Sequence, residues 1–307
     1  ANGPMPNREP NRSLYGIAEW YGRPFLAMSA GERCRAAASA LAEEPPLPCP
    51  FQFPARPCGK AGGVCSLRAY HEGAERNAVV SSDGPGSICI TCPHRFKSRQ
   101  SLYGWVGARL LGSTEVVNLG EIGFLERVAG GPSASGRQDV GRIDNILVVP
   151  DSSPLRWCAL ETQAVYFSGI GMAREFEAVK LSGGRPLFPL ARRRPDFRSS
   201  GPKRLMPQLQ TKVPTLRRWG IKTAVVVDAA FFASLAPMDE ANALSSADLA
   251  WFIVDVPAAD PRVELTLNAV KFTTLEQAID GLTAGLAVSQ EVFEARIREK
   301  VNASRPT

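Results

Sequence analysis

The sequence predicts a mixed α/β fold, and three observations carry that expectation. Two apolar runs, 141–149 and 157–165, read as neighbouring strands, and each holds one acid, Asp144 and Glu161. Two β-branched and aromatic runs, 223–228 and 251–256, read as strands buried on both faces. Helical periodicity stands before, between and after these strands, so helices should flank a central sheet.

In chain order, residues 14–44 read as helical, with Leu14, Ile17, Ala18 and Tyr21 on one face and then the stretch from Ala37 to Glu44, ended by Pro45 and Pro46. A loop-rich lobe follows. A second helical pattern from Ser101 to Val128 carries Leu102, Trp105, Val106, Leu110 and Leu111, later Ile122 and Leu125, and breaks at Gly130-Gly131-Pro132. The strands bearing Asp144 and Glu161 come next and are expected to pair as a hairpin. A helix over 172–181 leads into a basic stretch, and after the two buried strands a helix from Leu275 to about Val301 closes the chain on the stripe Leu275, Ala278, Ile279, Leu282 and Leu286. No internal repeat is present.

The 307 residues suffice for one large core with a lobe, expected as residues 1–100 (helical region and cysteine lobe) and 101–307 (core). Hydrophobic residues at 44% and charged residues at 21% suit a globular protein, and no apolar run approaches the roughly 18 residues of a membrane span. The polar, proline-containing stretch over residues 1–13 has no signal-peptide core, so the cytoplasm is the expected location.

The net charge of +6 is unevenly spread: residues 185–222 hold eleven basic residues and one acid, Asp196, leaving the rest of the chain at −4. Phe188, Phe197 and Trp219 interleave with this block. Such a segment suits a polyanion, because Lys and Arg that neutralise phosphates release condensed counterions. Arg192, Arg193, Arg194, Arg198, Lys203, Arg204, Arg217 and Arg218 are the expected nucleic-acid contacts; a solvated basic face without a ligand is the alternative.

Seven cysteines stand at 34, 49, 58, 65, 89, 92 and 158, five of them between 49 and 92. An odd number without a secretory signal argues against a disulfide framework and for a metal, with four thiolates holding zinc or iron tetrahedrally. Five clustered cysteines compete for four places, and Cys58 or Cys89 is the spare. His71 and His94 flank the cluster as substitutes, whereas Cys34 and Cys158 read as packing residues. An iron–sulfur cluster used for redox work is an alternative use of the same cysteines.

Strand alternation places Glu161 and Gln163 on one face, and hairpin pairing would bring Asp144 to Glu161 near one edge of the sheet. Two carboxylates there make an oxygen-rich pocket for Mg²⁺ and point to phosphodiester hydrolysis. A purely structural arrangement would instead pair Asp144 with Arg142 and Glu161 with another basic neighbour.

The acid on one strand and Glu161-Thr162-Gln163 on the next resemble the PD-(D/E)XK nuclease superfamily, with Gln163 where that superfamily usually has lysine. Together with the cysteine lobe, the chain is similar to the NotI-type restriction endonucleases over roughly residues 15–228. The motifs that carry the likeness are Cys49-Pro50-Phe51, Gly62-Gly63-Val64-Cys65-Ser66-Leu67-Arg68, Cys92-Pro93-His94-Arg95-Phe96, Gly141-Arg142-Ile143-Asp144 and Arg198-Ser199-Ser200-Gly201-Pro202-Lys203-Arg204. The resemblance implies a PD-(D/E)XK-like mixed sheet, Mg²⁺ on Asp144 and Glu161, and Gln163 completing the catalytic set. A further acid, Glu121 or Glu126, is expected from the preceding helix. It also implies iron on Cys49, Cys58, Cys65 and Cys92, and a type II-like endonuclease acting on double-stranded DNA as a homodimer. The competing class is a sequence-specific DNA-binding protein with a degenerate nuclease core, which Gln163 favours.

Overall fold

The computed structural model describes residues 13–82, 84, 86–97, 101–126, 139–257, 264–283, 285 and 288–304. Residues 1–12 and Gly130-Gly131-Pro132, both used in the sequence reading, lie outside them.

The chain opens as a strand, not the expected helix. β1 (Leu14–Trp20) turns through Tyr21 and Gly22, both at positive φ, into β2 (Arg23–Pro24). Spacing of the i, i+3, i+4 kind over seven residues also fits a strand buried on both faces, and pairing with a later strand decides between them. Helix begins only at α1 (Ala30–Ala40), where Ser29 and Glu32 cap one another reciprocally. β3 (Val64–Glu72) pairs antiparallel with β1, and β4 (Ala78–Val80) and β5 (Ile88–Ile90) both pair with β3. Trp20 and Phe25 pack there with Ala36 and Ala37 of α1.

Gly63, just before β3, sits at φ +65°, and a Cβ there would come within 2.2 Å of the Tyr21 ring. Gly63→Ala is therefore expected to cost more than about 1 kcal/mol of stability, measured by denaturant unfolding, through strain and displacement of Tyr21.

α2 (Ser101–Leu111) stops at Gly112, at φ +65°, instead of running to residue 128. The chain then forms β6 (Val117–Asn118) and β7 (Ile122–Glu126), so Glu121 and Glu126 do not come from a helix. The run read as one strand over 141–149 is two: β8 (Asp139–Ile143) pairs with β7, while β9 (Asn145–Val148) joins the central sheet. Asp144 lies at the break, where an Asp-Asn pair has little strand preference.

β10 (Trp157–Thr162) pairs antiparallel with β9, as the hairpin expectation required. From its end the chain passes through β11 (Phe167–Ser168), α3 (Ala173–Leu181), β12 (Arg194–Pro195), α4 (Phe197–Ser200), a π turn over 201–205 and α5 (Met206–Arg218). It returns as β13 (Thr223–Asp228), followed by α6 (Ala229–Ala233), β14 (Leu249–Asp255) and β15 (Thr266–Thr273). β10, β13 and β14 run parallel, and β15 and β9 flank them antiparallel in the order β15-β14-β13-β10-β9-β6. The expected closing helix is two, α7 (Leu275–Thr283) and α8 (Gln290–Ala303); Leu275, Ala278, Ile279 and Leu282 pack on the core, Leu286 lies outside the described residues, and α8 has no buried residue.

Alternation on the central strands sorts the core into two layers. Leu147, Cys158, Leu160, Val226 and Phe252 face Leu102 and Val106 of α2, whereas Val225, Val227 and Trp251 face Leu209 and Val213 of α5 and Leu282 of α7. The result is a mixed sheet flanked by helices. Ala159, which brackets Glu161 by two residues, packs on Leu216 of α5, so Glu161 points toward α5.

Candidate active site

Asp144 and Glu161 meet, and a third residue joins them. The Lys212 Nζ of α5 donates to Glu161 Oε1 at 2.8 Å and to Asp144 Oδ1 at 3.2 Å. The Glu161 and Lys212 side chains are 1% and 8% exposed, against 49% for Asp144, so the pocket opens to solvent on the Asp144 side. The other Glu161 oxygen, Oε2, is buried without a hydrogen-bond partner. Burial pushes the Glu161 carboxyl up to about 7; the Asp144 charge adds to that rise and the Lys212 ammonium opposes it. An additional cation would restore the ionised form. The donor chemistry, two carboxylates with one orphaned buried oxygen, fits a hard divalent ion.

The other expected members have partners of their own. Gln163 is buried just beyond β10, where its Nε2 donates to the Ala164 carbonyl at 2.6 Å. Glu121 pairs with Arg142 at 2.5 Å, both half exposed. The expected structural pairing of Glu161 with a basic neighbour does occur, through Lys212. Asn145 fastens the hairpin beside the site: its Nδ2 donates to the Leu160 carbonyl at 3.4 Å and its Oδ1 accepts from Asn118 at 3.2 Å.

The basic segment divides into two populations, which its charge count alone does not distinguish. Arg193, expected on DNA, is 5% exposed and grips Glu175 through two bonds of 2.6 and 2.7 Å, with further donation to the Ile170 and Gly171 carbonyls at 3.0 Å. It is a structural residue. Arg217 pairs with Asp248 and Glu276, each at 3.2 Å. Arg192, Arg194, Arg198, Lys203, Arg204 and Arg218 are exposed, and Arg204 stacks on Tyr166, 3.8 Å from its ring centre. Of the interleaved aromatics, Phe188 and Phe197 belong to the core and Trp219 is exposed.

Four cysteines share one neighbourhood. Cys49 and Cys58 lie on a ribbon closed by Cys49 N to Arg56 O at 2.8 Å and Cys58 N to Leu47 O at 2.9 Å. The amides of Thr91 and Cys92 both donate to the Cys65 carbonyl, at 2.9 and 3.1 Å, and Lys60 ties the two parts by donating to Thr91. Cys58 feels the charges of Cys49 and Cys92, and Cys65 those of Cys92 and Cys58, whereas Cys89 lies in the core beside Asp228 and Tyr15. Cys65 Sγ accepts from the Gly22 amide at 3.3 Å and donates to the Gly63 carbonyl at 3.6 Å. The donor set is that of a soft ion, although among the described residues no three metal-ligating side chains converge on one point.

A family model for restriction endonuclease NotI matches residues 33–267. The chain belongs to the NotI restriction endonuclease family. The match runs from α1 into β15 and takes in Asp144, Glu161, Gln163, Lys212, the clustered cysteines and the whole basic segment. NotI-family membership makes the protein one of the site-specific DNA endonucleases and DNA its binding partner. No curated protein matches the chain. Among the described residues, no helix of this NotI-family chain is long and apolar enough to cross a membrane.

Proposed function

We propose that the chain is a type II-like, Mg²⁺-dependent endonuclease built on a PD-(D/E)XK core, hydrolysing phosphodiester bonds of duplex DNA at Asp144 and Glu161. The observation that carries this reading is the meeting of the two acids on Lys212, with Glu161 buried and Asp144 open to solvent. Asp144 and Glu161 would hold the metal, which when bound lowers the pKa of the attacking water and offsets charge at phosphorus. Hydrolysis joins the water oxygen to phosphorus and breaks one bridging P–O ester bond; one water proton ends on the leaving oxygen and the other passes to solvent. Glu161, on the central strand, fixes the geometry, while Asp144 faces the side from which DNA arrives. Gln163, two residues beyond Glu161, completes the catalytic set and orients the water, with its Nε2 anchored on the Ala164 carbonyl.

Arg192, Arg194, Arg198, Lys203, Arg204 and Arg218 supply phosphate contacts and base readout, which Arg performs bidentately on guanine. A homodimer acting in the cytoplasm fits cleavage of both strands of a twofold site. The cysteine cluster is a structural lobe holding iron, or zinc, on Cys49, Cys58, Cys65 and Cys92. Cys58→Ser is expected to lose the bound metal and Cys89→Ser to keep it, measured by metal content of the purified proteins; the opposite pattern would make Cys89 the ligand.

Incubation with a large, GC-diverse phage genome, with Mg²⁺ and with EDTA, tests the cleavage reading. Discrete Mg²⁺-dependent fragments with a shared terminal sequence are expected. Specific binding to a selected DNA sequence without scission in Mg²⁺ or Mn²⁺ would identify a degenerate DNA-binding protein instead.

A further inference from the structure

We infer that Lys212, delivered from α5 and not from β10, is the cationic catalytic residue of the cleavage site and contacts the scissile phosphate when DNA is bound. The inference rests on the proposed nuclease reading and names a residue of that same site.

Lys212 does not sit where a solvated lysine would. It stands on the inward stripe of α5 among Leu209, Val213 and Leu216, all fully buried, and is itself 6% exposed. A charge in such a place is costly unless paired. The whole length of its side chain is spent on reaching Glu161 and Asp144, one on a central strand and the other at the break between two sheets. An ammonium has three N–H donors, and the two carboxylates account for two of them. The third is left for an oxygen entering from the open Asp144 side.

The site's chemistry calls for such a group. Negative charge on the phosphoryl oxygens rises as water adds, and a fixed cation meets that charge without reorganising. β10 supplies none, because Gln163 is neutral and its Nε2 is committed to the Ala164 carbonyl. Arg193 is drawn off by Glu175. Lys212, in contrast, forms ion pairs with both site acids. A counter-ion that merely balances the acids before metal binds would also touch both, and the two roles differ in what happens once metal is saturating.

Single-turnover cleavage at saturating Mg²⁺ separates them, using full-length Lys212→Met, Lys212→Arg and Lys212→Ala, with Mn²⁺ affinity in the absence of DNA as an independent readout. Mn²⁺ should bind Lys212→Met more tightly than the parent, since one positive charge has left the pocket. Unchanged Mn²⁺ affinity would remove Lys212 from the metal site and overturn the inference. Cleavage by Lys212→Met should fall about 10²- to 10³-fold with DNA binding in Ca²⁺ retained. Lys212→Arg keeps the charge for folding but moves the donors, and should cleave at least about 10-fold more slowly than the parent. Added ethylammonium, but not tetramethylammonium, should restore part of the Lys212→Ala rate, which a purely structural role would not allow. Parental rates for Lys212→Met or Lys212→Arg at saturating Mg²⁺ would overturn the inference and leave the nuclease reading intact. Failure of the parent to cut any DNA would defeat the nuclease reading and this inference with it.

Discussion

Glu161→Gln should reduce Mg²⁺-dependent cleavage by about 10³-fold or more, equal to ~4 kcal/mol of barrier, while leaving DNA binding in Ca²⁺ close to that of the parent. The substitution keeps shape and removes the charge that a divalent ion needs, on the most deeply buried acid of the site. It should also fold. Burial already drives the Glu161 carboxyl up to about 7 from 4.5, so the folded state holds its proton more tightly than the unfolded chain does. The sign follows: without metal, this group's contribution to stability is greatest below pH 4.5, declines as pH rises from 4.5 to 7, and is level above that. Glu161→Gln should remove this decline from metal-free unfolding measured against pH. A variant that cuts at the parental rate would exclude Glu161 from the reaction; an identical pH profile would mean that its carboxyl is solvated in the folded state.

Arg193→Met should cost about 3–5 kcal/mol of folding stability, because it strands the buried Glu175 carboxylate and leaves the Ile170 and Gly171 carbonyls without their donor. The flanking arginines should behave in the opposite way. Arg192→Ala and Arg194→Ala leave stability within about 0.5 kcal/mol, since both are exposed. For each arginine that meets a phosphate, the slope of log binding constant against log salt should fall by about 0.9. Denaturant unfolding and salt-dependent binding of the three variants give the comparison. Equal stability of all three would show that the Glu175 pair contributes nothing; equal salt slopes for parent, Arg192→Ala and Arg194→Ala would place both surface arginines away from DNA.

The parts of the fold that were legible in the sequence are those where one physical signal had no rival. Thr223–Asp228 and the run around Trp251 are uninterrupted β-branched and aromatic stretches, and they lie at the middle of the sheet. The hairpin of Asp144 and Glu161 was legible because acids inside apolar strands need a reason to be there. The Leu14–Trp20 strand was misread because seven residues cannot separate helical spacing from a strand buried on both sides. Val64–Glu72 gave no strand signal, as its Ser66, Arg68 and His71 interrupt any apolar pattern; Arg68 and Ser66 are nonetheless buried through hydrogen bonds, with Ser66 donating to Glu19 at 2.6 Å. Lys212 was present in the sequence only as one of many charges. Its signal was positional: a lysine three residues after Leu209, beside Val213 and four before Leu216 stands on an apolar stripe, where a solvated base does not belong. Arg193 has no such pattern around it, since it lies in a connection without a period, and only the fold reveals that it is buried.

Everything from residue 163 to residue 222 is inserted between β10 and β13, which are adjacent strands of the central sheet. Lengthening a connection whose ends are already fixed costs a protein only logarithmically. This crossover, which carries the proposed DNA-contacting surface, is thus a place that can be rebuilt over evolutionary time while the sheet beneath keeps its pairing. The freedom ends at α5, the crossover's last element, because the helix that follows the basic surface also carries the lysine that touches both acids. Under the proposed roles, new target preferences can accumulate upstream of α5, but a change that shifts this helix by one register would move Lys212 away from both acids as it altered the basic surface.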